Sequence, residues 1–203
     1  GPQDRVAAFP ERYALVLEDR LVDAFGAGWP DGESGDRLRA RLREVKDRYL
    51  RGASVDYDEV TALAYAVYHL PATYAAGRYV VGDLAAAGLA PRNARVLDVG
   101  AGTGGPALGT LDLFPEDALV EYHAVEPGAG ADILDDLLAE TGRNVHATVH
   151  RTTAEAFDPA GDFDLVLFGN VLNELADPAA VARRYLDALA DDGTLVAIAP
   201  ADR

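Results

Sequence analysis

The 203-residue chain has no cysteine and no methionine, a single lysine (Lys46) and a single tryptophan (Trp29). Without cysteine, these residues cannot form a disulfide framework, a thiolate metal site or a cysteine nucleophile. No other metal-ligand set is predicted. Long apolar runs are also missing. The most apolar stretch, from Thr61 to Val81, is broken by His69, Pro71 and Arg78. It falls short of the roughly 18 apolar residues that a spanning helix needs. No leader pattern of charged, apolar and small residues opens the sequence. A cytoplasmic protein with no membrane partner is therefore expected. The shortage of lysine stands against 17 arginines, 23 aspartates and 11 glutamates, for a formal charge of −16. Much Asp, much Ala and almost no Lys is a composition expected of a halophilic organism, in which bulk salt screens a dense acidic surface.

What is present divides near residue 93. The first part, 1–93, reads as a helical N-terminal region. Pro10 suits a first turn, and Tyr13, Leu17, Leu21 and Phe25 follow at four-residue steps up to Gly26. Gly28 to Gly32 reads as a loop. Ser34 or Asp36 is expected to cap a second helix, with Leu38, Leu42, Val45 and Tyr49 as its apolar stripe. Asp56 is expected to cap a third helix that Pro71 ends or kinks. A fourth is expected from Thr73 to Ala87.

The second part, 94–203, holds most of the acid and alternates strand with helix. Strands are predicted at 95–99, 118–125, 145–150, 164–168 and 194–198. Helices are predicted at 106–114 and 131–140, with another opening at Asp177-Pro178 and burying Val181, Tyr185, Leu186 and Leu189. Asp191, Asp192 and Gly193 read as a turn. Five strands alternating with helices predict a parallel, doubly wound α/β sheet.

The sharpest motif is Val96-Leu97-Asp98-Val99-Gly100-Ala101-Gly102-Thr103-Gly104-Gly105, between a strand and a helix. Glycines there let the backbone turn tightly and approach a ligand closely. Glu126 ends the next strand, where an acid can accept hydrogen bonds from ribose hydroxyls. Gly100, Gly102 and Gly105 also satisfy the dinucleotide pattern, so the loop alone does not separate nicotinamide from another adenosine cofactor. Asp98 argues for the latter, because a dinucleotide site is usually apolar at that position.

Here the sequence resembles class I S-adenosyl-L-methionine-dependent methyltransferases. The resemblance implies a Rossmann-like methyltransferase sheet, with five parallel strands present and the C-terminal hairpin missing, preceded by an α-helical N-terminal domain. It implies S-adenosyl-L-methionine as cofactor, with Asp98, Gly100, Ala101 and Gly102 near the methionine moiety, Glu126 on the ribose and Thr103 also in the cofactor site. Thr152, Thr153 and Glu155 follow the third strand, where the family contacts the adenine; they read equally as a polar loop and helix cap. Asn170 matches the position facing the transferred methyl group, and Asn173 and Glu174 either contact the acceptor or start the next helix. His69 and Tyr74 could cover the cofactor from the helical region, or Tyr74 could instead be core. His123 and His146 are expected to be structural. Because the sheet is short of the seven strands of this class, either a further C-terminal segment beyond Arg203 or a remaining part supplied by another molecule is expected.

Tyr68-His69-Leu70-Pro71-Ala72-Thr73-Tyr74-Ala75-Ala76, with the glycine motif and Asn170-Val171-Leu172-Asn173-Glu174-Leu175, is similar to one group within that class. This is the methyltransferase-like family associated with the small ribosomal subunit, over roughly residues 60 to 200. The resemblance implies methylation of small-subunit ribosomal RNA or a part in subunit assembly. A non-catalytic cofactor-binding assembly factor and a small-molecule methyltransferase are the alternatives. Family members continue into a cysteine-bearing segment; this chain has none. For RNA, the one dense run of cations is Arg37, Arg39, Arg41, Arg43, Lys46, Arg48 and Arg51. That run is either an RNA-facing patch or a solvated helix with internal ion pairs.

Overall fold

The computed structural model describes residues 9–50, 58–88, 92–169 and 175–197. Helix α1 (Glu11–Phe25) starts after Pro10 and stops at Gly26, whose φ of +87° suits glycine. Its four-residue apolar steps bury Tyr13, Leu17 and Leu21 on one face. A single 3-10 turn (Trp29–Asp31) leads into α2 (Glu33–Leu50). This helix begins at Glu33, so Ser34 and Asp36 lie inside its first turn instead of capping it.

Helix α3 (Glu59–Ala86) corrects two expectations. Its cap is Asp58, whose carboxylate accepts the Thr61 amide at 2.7 Å; Asp56 lies outside the described residues. It also runs unbroken through Pro71, where two helices were expected. An interior proline costs a helix about 3 kcal/mol. Tertiary packing offsets that cost. Leu63, Ala66, Leu70 and Tyr74 are buried along α3, and beyond the proline the helix lies backbone to backbone on α4 (Gly105–Leu111). A Cβ at Gly77 would sit 2.1 Å from the Pro106 carbonyl oxygen, and one at Gly109 2.1 Å from that of Tyr74. Glycine is the residue that permits this approach.

The remaining elements are β1 (Ala94–Val99), β2 (Val120–Val125), α5 (Gly130–Leu138), β3 (Val145–His150), β4 (Phe163–Phe168), α6 (Pro178–Leu186) and β5 (Leu189–Ala197). All five strands pair in parallel, in the order β3-β2-β1-β4-β5. This is the expected Rossmann-like sheet. Side chains alternate between its two faces. Val96, Tyr122, Ala124, Leu165 and Leu167 face one way and share a core with α1, α3, α4 and α5. Leu97, Val99, Val125, Val166 and Phe168 share the second core with Val181 and Tyr185 of α6. The helical region and one sheet face therefore bury a single continuous apolar cluster.

Asp177 caps α6 through the Ala180 amide, as its sequence predicts. Leu189 belongs to β5 and not to α6, and Leu186 is half exposed. The expected turn at Asp191-Asp192-Gly193 falls within β5, where the pairing shifts register between Phe163 and Leu165. Ile198 lies outside the described residues. Among the described residues no helix is long and apolar enough to cross a membrane.

Candidate cofactor site

The order of the sheet reverses between β1 and β4, which lead away in opposite directions. In such sheets ligands bind beyond the carboxyl ends of the strands at this point. The glycine loop lies there. Gly100, Gly102 and Gly104 all have positive φ, at +72°, +58° and +94°. The Gly100 amide donates to the Val125 carbonyl at 2.9 Å, and the Gly169 amide to that of Val99 at 3.0 Å, so the ends of β1, β2 and β4 are tied together. Neighbouring elements close in on the loop. A Cβ at Gly169 would lie 2.5 Å from the Gly100 oxygen, and one at Gly130 3.2 Å from Gly102. At Gly105 a Cβ would collide with Thr73 and touch Leu70. This places the Leu70-Pro71-Ala72-Thr73 segment against the start of α4. A Cβ on Gly102, by contrast, would meet nothing within 4 Å. That direction is open.

Glu126 follows β2 directly. Its Oε1 accepts the Gly102 amide at 2.7 Å and its Oε2 the Gly128 amide at 2.8 Å. An ionised carboxylate has about four acceptor positions. Each oxygen therefore keeps a lone pair for a ligand hydroxyl.

Asp98 lies beneath the loop, 4% exposed. Its Oδ2 accepts a 2.7 Å hydrogen bond from the Tyr122 hydroxyl, itself fully buried. Burial pushes the Asp98 carboxyl up to about 7; the Tyr122 bond opposes that rise and the nearby Glu126 charge adds to it. A cation placed here would favour the ionised acid. Ala101 and Thr103 are both buried in the loop.

The structure thus brings Asp98, Gly100, Ala101, Gly102, Thr103 and Glu126 into one place. Tyr74 lies elsewhere. Its hydroxyl donates to Asp112 Oδ2 at 2.8 Å, at the opposite end of α4 from the loop, and its ring packs on Phe9 and Tyr13. Thr153 stands after β3, where its hydroxyl accepts the Ala156 amide at 3.1 Å. Asn170, Asn173 and Glu174 lie outside the described residues. His69 is buried between the rings of Tyr65 and Tyr68, and burial lowers its pKa, which keeps it neutral. His123 pairs with His150 across β2 and β3 at 2.9 Å. Sequence reasoning passed over Tyr122, Gly128 and Gly130. For Tyr122 a signal existed: strand alternation puts it on the face that carries Asp98, and a buried tyrosine hydroxyl needs a partner. Among the described residues no group of acids and histidines could hold a metal ion.

Residues 97–195 match the family described as a methyltransferase domain. No curated protein matches the chain. Among solved structures it is similar to the CurJ carbon methyltransferase, with a TM-score of 0.56 and 22% identity over 89% of this chain and 50% of that one. It is also similar to a proposed O-methyltransferase of Nostoc punctiforme, with a TM-score of 0.54 and 16% identity over 79% and 48%. A third is an S-adenosylmethionine-dependent methyltransferase of Leishmania major, with a TM-score of 0.50 and 17% identity over 88% and 67%. The chain spans about half the length of the first two. At these identities the structures share its fold.

Proposed function

We propose that this chain, whose residues 97–195 match a methyltransferase domain, is a class I enzyme that binds S-adenosylmethionine at the β1/β4 switch point and serves methyl transfer to small-subunit ribosomal RNA. The observation that carries the cofactor reading is the joint placement of two acids at one glycine loop, with Glu126 across the Gly102 and Gly128 amides and Asp98 buried below. A dinucleotide can use Glu126 through its ribose but has no ammonium for Asp98. A ligand with an ammonium and a ribose uses both.

When bound, the cofactor would supply a sulfonium-activated methyl group for in-line transfer to an acceptor lone pair, with the neutral thioether as leaving group. The chain's own residues bind and align. Ionised Asp98 attracts the methionine ammonium. The free lone pairs of Glu126 accept the ribose hydroxyls. Gly102, which has no side chain, leaves the loop open to the ligand backbone. Asn170, on the resemblance alone, is assigned to the acceptor side. Thr153 is assigned to the adenine side. Positioning of this kind accounts for much of the acceleration of a displacement reaction.

Support for the RNA acceptor comes from the resemblance of residues 68–76 and 170–175, and from the arginines of α2. A small-molecule acceptor is the second reading. It is favoured by the charge of −16 and by the internal pairing of α2, where Arg39 meets Asp36 at 2.7 Å and Arg41 meets Glu44 at 2.9 Å. Transfer of labelled methyl from S-adenosylmethionine to small-subunit RNA separates the two. Incorporation that falls when Arg39 and Arg43 are changed to Glu at matched salt supports the RNA reading. Binding of cofactor and subunit without incorporation supports an assembly factor. Labelling of small molecules alone overturns the RNA reading.

A further inference from the structure

We propose that Tyr122 is a positioning residue for the cofactor's methionine ammonium, acting through Asp98; this rests on the cofactor reading above. The Tyr122 hydroxyl donates to Asp98 Oδ2 at 2.7 Å, and both residues are buried. Among the described residues it is the one side chain hydrogen-bonded to Asp98. The bond does two things. It fixes the carboxylate plane, so that Oδ1 is presented in one orientation. It also stabilises the ionised carboxylate, which alone can hold a cation.

The surroundings otherwise drive Asp98 toward its neutral form. Glu126, just beyond β2, adds a second negative charge. Helix α4 presents Gly, Pro, Ala, Leu and Thr and no ionisable group. Helix α5 turns Ile133, Leu134 and Leu137 into this core, and β4 contributes Leu165 and Leu167. From α3, Leu70 and Thr73 abut the start of α4, with His69 in the same turn, held neutral by burial. Tyr122 is thus the group on this face that favours the ionised acid. Packing alone does not require it, since phenylalanine would fill the same apolar volume. What Tyr122→Phe removes is the donor to a buried carboxyl, a loss felt most by the ionised form.

The test compares S-adenosylmethionine affinity by calorimetry from pH 6 to 9 in the unaltered chain, in Tyr122→Phe and in Tyr13→Phe. Tyr13 is a matched control, because its buried hydroxyl donates to Asp112 Oδ1 at 2.8 Å, away from the loop. The cofactor's own amine titrates identically with every protein, so ratios of Kd isolate the protein's contribution. For Tyr122→Phe the ratio to the unaltered chain should be about fivefold at pH 7 and under about twofold at pH 9, as expected for loss of one hydrogen bond to a charged group. For Tyr13→Phe it should stay flat. In the ligand-free protein, the carbon-13 NMR titration midpoint of the Asp98 carboxyl should move up in Tyr122→Phe. A Tyr122→Phe ratio that does not change with pH, or an unmoved midpoint, overturns the inference while leaving the cofactor reading intact. Absence of cofactor binding by the unaltered chain overturns the cofactor reading and this inference with it.

Discussion

Glu126 Oε1 accepts the Gly102 amide at 2.7 Å, which makes the acid ending the second strand and the glycine loop ending the first a single hydrogen-bonded unit. Its other oxygen holds Gly128. One side chain therefore ties the loop to the segment that follows β2. Replacing it with alanine leaves two amides without a charged acceptor. Glu126→Ala should lower stability by about 1–2 kcal/mol in chemical denaturation, since solvent can reach this half-buried site and replace part of what is lost. It should weaken S-adenosylmethionine binding at least about tenfold. An affinity within about twofold of the unaltered chain would remove Glu126 from the site.

Asp98 gives the folded chain a signature in pH. Its folded-state pKa, pushed up to about 7 by burial, lies above the unfolded value of about 3.9. Between these values the folded protein holds a proton that the unfolded chain releases. The contribution of Asp98 is fully present below about pH 4 and is lost as pH rises through 7. The difference in unfolding free energy between the unaltered chain and Asp98→Asn should thus fall by about 1 kcal/mol per pH unit between roughly pH 5 and 6.5. A difference constant over that range would mean that Asp98 is ionised throughout.

Gly109 and Gly82 make opposite predictions for one substitution. A Cβ at Gly109 would sit 2.1 Å from the Tyr74 carbonyl oxygen and 2.9 Å from the Arg78 amide, both backbone atoms that cannot turn aside. Gly109→Ala should cost several kcal/mol, roughly 3 or more, by forcing α3 off α4. Gly82, also helical, meets nothing within 4 Å. Gly82→Ala should be neutral or stabilise by about 0.5–1 kcal/mol. Thermal unfolding of both variants checks this. Equal effects would contradict the close packing of α3 on α4.

The alternation of strand and helix after residue 93 was legible because each strand is a short apolar run bounded by turn residues. The parallel pairing of all five strands and the covering of both sheet faces followed the expected pattern. The loop residues and Glu126 were legible because glycine and acid at strand ends have few other uses. Pro71 misled, because a local rule predicts a break there. The packing that overrides it depends on Gly77 and Gly109, two glycines 32 residues apart in sequence. Tyr74 could not be placed from sequence. Its partner Asp112 lies 38 residues away, and nothing local shows that its hydroxyl points to the far end of α4. Leu189 read as helix because its spacing from Tyr185 fits one, but the chain turns at Asp187 and Ala188 and enters β5.

The glycine loop, Asp98 and Glu126 are proposed to hold S-adenosylmethionine and not a dinucleotide. Calorimetric titration of the chain with S-adenosylmethionine, and in parallel with nicotinamide adenine dinucleotide, tests this most directly. Saturable binding of S-adenosylmethionine that is lost in Glu126→Ala, with the dinucleotide at least about tenfold weaker, is the predicted result. Tighter binding of the dinucleotide would contradict it.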